Sequence, residues 1–189
     1  GVPTRVALFG RAEAAALAGE RGRADLIVGN NVLAQVSDLN DFVAGIATLL
    51  APDGVVTLEF PHLARLLAEV QFDTIYHEHF SYFSLATATR ALAAHGLRVF
   101  DVEELPTHGG SLRVFACHAG STRWPPDTRV ARVLATEADA GLERPETYAA
   151  FGERVAEVKH GLLDFLIRCR RAGARVAGYG APGKGNTLL

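Results

Sequence analysis

The chain has 189 residues, 49% of them hydrophobic and 21% charged, with a formal net charge of −2. That is enough apolar material for one core, or for one core and a small second unit. The near-neutral balance supplies no basic field for nucleic acid or an anionic membrane surface, and no apolar run approaches the roughly 18–20 residues that span a bilayer.

Taken in chain order, "TRVALFG" is a short apolar run ending at Gly10, which reads as a strand. "RAEAAALAGERG" is strongly helix-forming, with Gly22 as its stop. "ADLIVGNNVL" is a continuous apolar run, the pattern of a strand buried on both faces. Ser37 and Asp38 offer a helix N-cap, and Phe42, Ile46, Leu49 and Leu50 then recur at helical spacing. "APDG" reads as the turn that ends this helix, "VVTLEF" as the next strand, and "HLARLLAEV" as a helix. "DTIYHEHFSYFS" follows as an ordered loop or short helix, and "SLATATRALAAHG" as a helix capped by Ser84 and closed by Gly96. "LRVFDVEEL" and "GSLRVFACH" are strands joined by "PTHGG", an antiparallel return.

Residues 5–118 thus predict a mostly parallel α/β sheet with a hairpin at one edge and helices on both faces. "AGSTRWPPD" breaks the pattern as a linker, helical material runs from about Val130 to Arg171 with a break near Pro145, and "ARVAGYGAPGKG" opens a second α/β element. The expected division is 1–120 and 121–189. Ligands of open α/β sheets bind beyond the carboxyl ends of the strands, which here are the loops "GNNVLAQV" and "EFPH".

Cys117 and Cys169 lie far apart and match neither a metal pair nor a disulfide framework, so a reducing cytoplasm is the expected compartment. The chain has no methionine and begins at Gly1, and the reading is of a fragment.

The strings "ADLIVGNNVL", "LLAPDGVVTLEF", "FDTIYHEHFSYFSL", "LPTHGGSLRVFA" and "GYGAPGKGNTLL", in this order, resemble the nucleotide-sugar C-methyltransferases. The resemblance implies the second half of a class I, Rossmann-like methyltransferase core, a helical linker and the start of a C-terminal α/β domain. It implies S-adenosyl-L-methionine as cofactor, a nucleotide-linked deoxysugar as substrate, and methylation of the carbon next to its keto group. The zinc cysteines and glycine-rich cofactor loop of that family are not in these residues. Full-length protein is therefore expected to bind the cofactor, and residues 1–189 alone to bind it weakly or not at all.

Methylating carbon requires an enolate, hence a base near neutral pKa and donors aimed at the developing oxyanion. By motif match His79 resembles the family's base, and Tyr76 and Glu78 its substrate-positioning partners. Spacing leaves two arrangements open: an extended segment pairs His77 with His79, whereas a helical turn brings Tyr76 to His79. Asn30 and Asn31 lie where this class borders its cofactor, although Asn also caps turns. His108 lies in a turn that is near the active site in the family, and Lys184 and Asn186 fall in the loop that would contact the sugar nucleotide. Gln35 stands where relatives carry a His and cannot accept a full proton.

Gly178, Gly180 and Gly183 complete a G-x-G-x-x-G, and Lys184 nearly completes a P-loop, but Gly185 offers no hydroxyl for magnesium. His77 alone reads as structural; His62, His95, His118 and His160 read as surface or packing residues, and Tyr82 and Phe83 as core aromatics. Two other functions compete: a metal-dependent enzyme using His77-Glu78-His79, and a truncated, non-catalytic binding module.

Overall fold

The computed structural model describes residues 1–179, 185 and 187. A mixed four-stranded sheet runs in the order β1-β2-β4-β3. β1 (Ala24–Asn30) is parallel to β2 (Leu50–Pro61), and β4 (Ser111–His118) is antiparallel both to β2 and to β3 (Leu97–Leu105). The expected antiparallel hairpin at 97–118 is present.

Register sorts the sheet into two faces. Val56, Ala116 and Val99 align across three strands, as do Leu58, Val114 and Val102, and all six are buried. They join one core with Phe42, Val43 and Ile46 of α2 (Leu39–Leu49), Leu85, Ala88 and Leu92 of α4 (Leu85–Ala93), and Val133 of α5 (Thr128–Asp139). Burying each large apolar side chain contributes about 1.5–3 kcal/mol. The described core thus gathers on one face, not on both. The opposite face aligns Glu59, Arg113 and Glu103, and further along it Trp124 of the linker stacks on Phe100 with ring centroids 5.5 Å apart.

Local chemistry explains the helix starts. Asp38 caps α2 by accepting the Asp41 amide at 2.9 Å. Ser84 and Thr87 form a reciprocal capping box on α4. α1 (Arg11–Arg21) starts at Gly10, whose extended backbone offers no capping side chain; the Asp41 carboxylate of α2 accepts the Arg11 amide instead. α1 and α2 cross closely where Gly45 meets Gly10.

Four expectations are corrected. Residues 5–9 form no strand, and Val6 and Leu8 are exposed; among the described residues no strand pairs with the outer edge of β1. β1 is an edge strand among the described residues, and it is buried on one face rather than both: Ile27 packs against the core, while Leu26 and Val28 are 59% and 60% exposed. "APDG" does not end in a turn but lies within β2, where the pairing with β1 jumps from Ala24↔Leu50 to Leu26↔Val55. The turn residues produce a bulge there because both flanks stay paired. Residues 174–179 have no regular structure, so the expected second α/β element does not begin there; 180–184 lie outside the described residues.

The linker helices are as expected. α5 docks on the core, and α6 (Pro145–Arg171) starts at a proline, suited to the first helical position. Arg154 of α6 donates to the carbonyls of Leu67 and Ala68 at the end of α3 (Leu63–Ala68). Among the described residues, no helix is long and apolar enough to cross a membrane.

Candidate active site

Three loops meet near the carboxyl ends of β1 and β2. The first leaves β1 at Asn31, which adopts a left-handed backbone (φ 54°) and donates its amide N–H to the Glu59 carbonyl at 2.8 Å. It then makes one tight turn at Leu33–Gln35. The second, residues 72–83, lies against the first: the amides of Phe80 and Ser81 both donate to the Ala34 carbonyl, at 2.8 and 3.2 Å. The third is the β3–β4 turn, where His108 is also left-handed and its Nε2 lies 3.1 Å from Asn31 Nδ2. Gly110 follows at φ 116°, a conformation that only glycine adopts freely, and its carbonyl accepts the His62 amide.

The second loop settles the choice the spacing left open. The His79 amide donates to the Tyr76 carbonyl at 3.0 Å, closing a turn, and the two rings lie 4.5 Å apart by centroid. His79 Nδ1 is 2.8 Å from the Thr74 carbonyl. A carbonyl only accepts, so Nδ1 carries the proton and Nε2 of the neutral ring keeps its lone pair. Glu78 and His77 are exposed, and neither shares this contact; His77 meets only the edge of Tyr76. Tyr82 borders His79 at 6.0 Å, and its burial, then the neighbouring Tyr76, hold its phenol above the usual range. Gln35 is exposed beside the shared Ala34 carbonyl.

The motif residues therefore form two groups, Tyr76–His79 and Asn31–His108, joined through the loop at 31–35. Asn30 is exposed at the end of β1. Lys184 and Asn186 lie outside the described residues, as do Gly180 and Gly183. Among the described residues, no group of three or more His, Cys, Asp or Glu is placed to hold a metal ion.

Sequence reasoning missed the supports of both groups. Under His108, Glu59 is nearly buried; it accepts the Thr107 hydroxyl at 3.0 Å and the Arg113 guanidinium at 2.8 Å. The signal was present, since Thr107, His108 and Arg113 all belong to "THGGSLR". Near the His79 loop, Glu137 of α5 is buried. Its Oε1 accepts from His62 Nε2 at 2.8 Å and from the Leu85 amide at 2.5 Å, and its Oε2 from the Ala86 amide at 3.0 Å. Burial pushes this carboxyl up, but the three donors together outweigh it, and the net shift is downward. No local pattern marks Glu137.

Comparison with known proteins locates the chain. Residues 4–102 match the methyltransferase domain family, and residues 106–189 the C-methyltransferase C-terminal domain family. The C-methyltransferase NovU of Streptomyces niveus is 40% identical over 191 residues, covering 100% of this chain and 45% of its own length; the chain thus spans under half of that relative. Among solved structures, an S-adenosylmethionine-dependent methyltransferase from Clostridium acetobutylicum is 10% identical over 52% of this chain and 59% of its own, with a TM-score of 0.42. CalO1, a methyltransferase of calicheamicin biosynthesis in its SAH-bound form, is 17% identical over 51% of this chain and 31% of its own, at 0.43.

Proposed function

The chain belongs to the methyltransferase domain family, and from that premise we propose that the protein is an S-adenosyl-L-methionine-dependent C-methyltransferase acting next to the keto group of a nucleotide-linked deoxysugar. The observation supporting this reading is the pinned tautomer of His79, with Nδ1–H on the Thr74 carbonyl and Nε2 left as an acceptor beside Tyr76.

When bound, the cofactor supplies an electrophilic methyl group. The donor set at the end of β1 fits such a molecule: Asn30 presents a side-chain amide at the exposed rim with no partner among the described residues, whereas the Asn31 side-chain amide is held by His108. Asn30 would hold the cofactor, and Asn31 would shape the turn that presents it. His79 Nε2 takes the proton from the carbon α to the ketone. The Tyr76 hydroxyl donates to the enolate oxygen as charge develops there, and Glu78, exposed at the rim, contacts the sugar. His108, seated on Asn31, lines the substrate side.

The test is solvent-deuterium exchange at the α carbon, run without methyl donor in full-length protein. His79→Asn keeps an N–H for the Thr74 carbonyl but removes the base. Exchange should fall about 10²–10⁴-fold with substrate binding little changed. Exchange at the wild-type rate in that variant overturns the assignment.

A further inference from the structure

The loop carrying His79 belongs to a longer excursion. It leaves the sheet at His62, makes α3, passes Tyr76 and His79, and returns at Phe83 to start α4. Its two stems lie side by side: His62 and Phe83 form an isolated parallel bridge, and the Leu63 amide donates to the Phe83 carbonyl at 2.9 Å. One carboxylate from elsewhere in the chain holds both stems. Glu137 takes the His62 imidazole on the outgoing stem and the Leu85 and Ala86 amides just past the returning one. The His62 and Glu137 side chains are 5% and 3% exposed. Helix capping alone does not account for this arrangement. α4 already has its own box from Ser84 and Thr87, and His62 lies outside that helix.

We propose that Glu137 is a positioning residue for the base: by clasping both stems of the excursion, it fixes where the Tyr76–His79 turn sits against the loop at 31–35. The proposal rests on the reading of His79 as the base. The distance between stem and base is bridged by short, bonded backbone. Residues 72–74 form a single tight turn tied by the Thr74 amide to the Gln71 carbonyl at 3.1 Å, and Phe80 and Ser81 are anchored on Ala34. If the stems part, the turn shifts relative to Ala34, and Nε2 loses its alignment. Displacement of a reacting group by about 1 Å costs on the order of 10² in rate.

The experiment uses full-length protein carrying Glu137→Ala, with Glu137→Gln as a second variant that keeps the side-chain shape. Arg129→Ala serves as control: it lies on the same helix and pairs with Asp101 at 2.5 Å, away from the stems. Amide hydrogen exchange across residues 72–83 and substrate α-proton exchange are read together, the latter per folded molecule. In Glu137→Ala the Phe80 and Ser81 amides should exchange at least ~10-fold faster, and kcat should fall about 10²-fold with KM nearly unchanged. Glu137→Gln should fall between it and wild type, and Arg129→Ala should lower the melting temperature while leaving both readouts alone. Unaltered amide exchange in residues 72–83 of Glu137→Ala overturns the proposal. So does faster amide exchange with wild-type kcat, provided His79→Asn is inactive. If His79→Asn is itself active, the base assignment fails, and the amide exchange alone still decides whether Glu137 clasps the loop.

Discussion

Replacing Glu137 with alanine should also be among the more destabilising single changes in the molecule. The substitution strands two backbone amides, of Leu85 and Ala86, and one buried imidazole, of His62. A buried donor left without a partner costs about 1–3 kcal/mol, and three donors are stranded here. The values are not additive, and the intact Ser84–Thr87 box keeps α4 from unravelling, so a net loss of about 3–4 kcal/mol is expected. Against a total of about 5–15 kcal/mol, that is readily measured by urea unfolding followed by circular dichroism. The pH dependence has a definite sign. The Glu137 carboxyl titrates below its ordinary value, so its contribution is complete above about pH 4.3 and is lost as pH falls through the lower folded value. The gap between wild type and Glu137→Ala should be full at pH 7 and narrow only as pH falls through the lowered folded value. A loss under about 1 kcal/mol at pH 7, or a gap that widens on acidification, would refute the reasoning.

Three further outcomes are expected. Gly45→Ala would normally favour a helix, but the new Cβ would lie 2.7 Å from the Gly10 carbonyl carbon and 2.8 Å from its oxygen, so a loss of about 1–3 kcal/mol is expected; a raised melting temperature would contradict it. Trp124 stacks on Phe100 and donates its indole N–H to the Asp53 carbonyl at 3.0 Å, so Trp124→Ala should lower stability by about 1–2 kcal/mol; an unmoved urea midpoint would show that the linker is undocked. Burial raises the Cys117 thiol and hides it, so Ellman's reagent should titrate Cys169 rapidly and Cys117 only after unfolding; two fast thiols would be incompatible with this packing.

What the sequence disclosed was mostly what a few neighbouring residues decide. The Asp38 cap, the Ser84 cap and the 97–118 hairpin depend on side chains within a turn of one another. The run "ADLIVGNNVL" misled because apolar residues record only that a strand is apolar; whether a neighbour covers its outer face depends on the rest of the sheet. "APDG" misled because turn residues also make bulges, and continued pairing on both sides chose the bulge. At the site, the Tyr76–His79 turn was one of two arrangements compatible with the spacing, and the Thr74 carbonyl decided between them. Glu59, Thr107 and Arg113 sat inside quoted strings without a role, because their contact forms only once β2 and β4 pair. Glu137 carried no signal at all: on an amphipathic helix it reads as one more solvated carboxylate.

The sheet's strand order has a consequence for how the site is assembled. α1, β1, α2 and β2 are contiguous in the chain, as are α4, β3 and β4, so each set can gather through short closures; β2 must then zip to β4 across the intervening excursion. The His62–Glu137 pair joins residues 75 apart and needs α5 seated on the finished sheet. Order around His79 should therefore be the last feature gained on refolding and the first lost on mild denaturation. Catalysis should fail at a urea concentration where the sheet still gives its full circular dichroism signal.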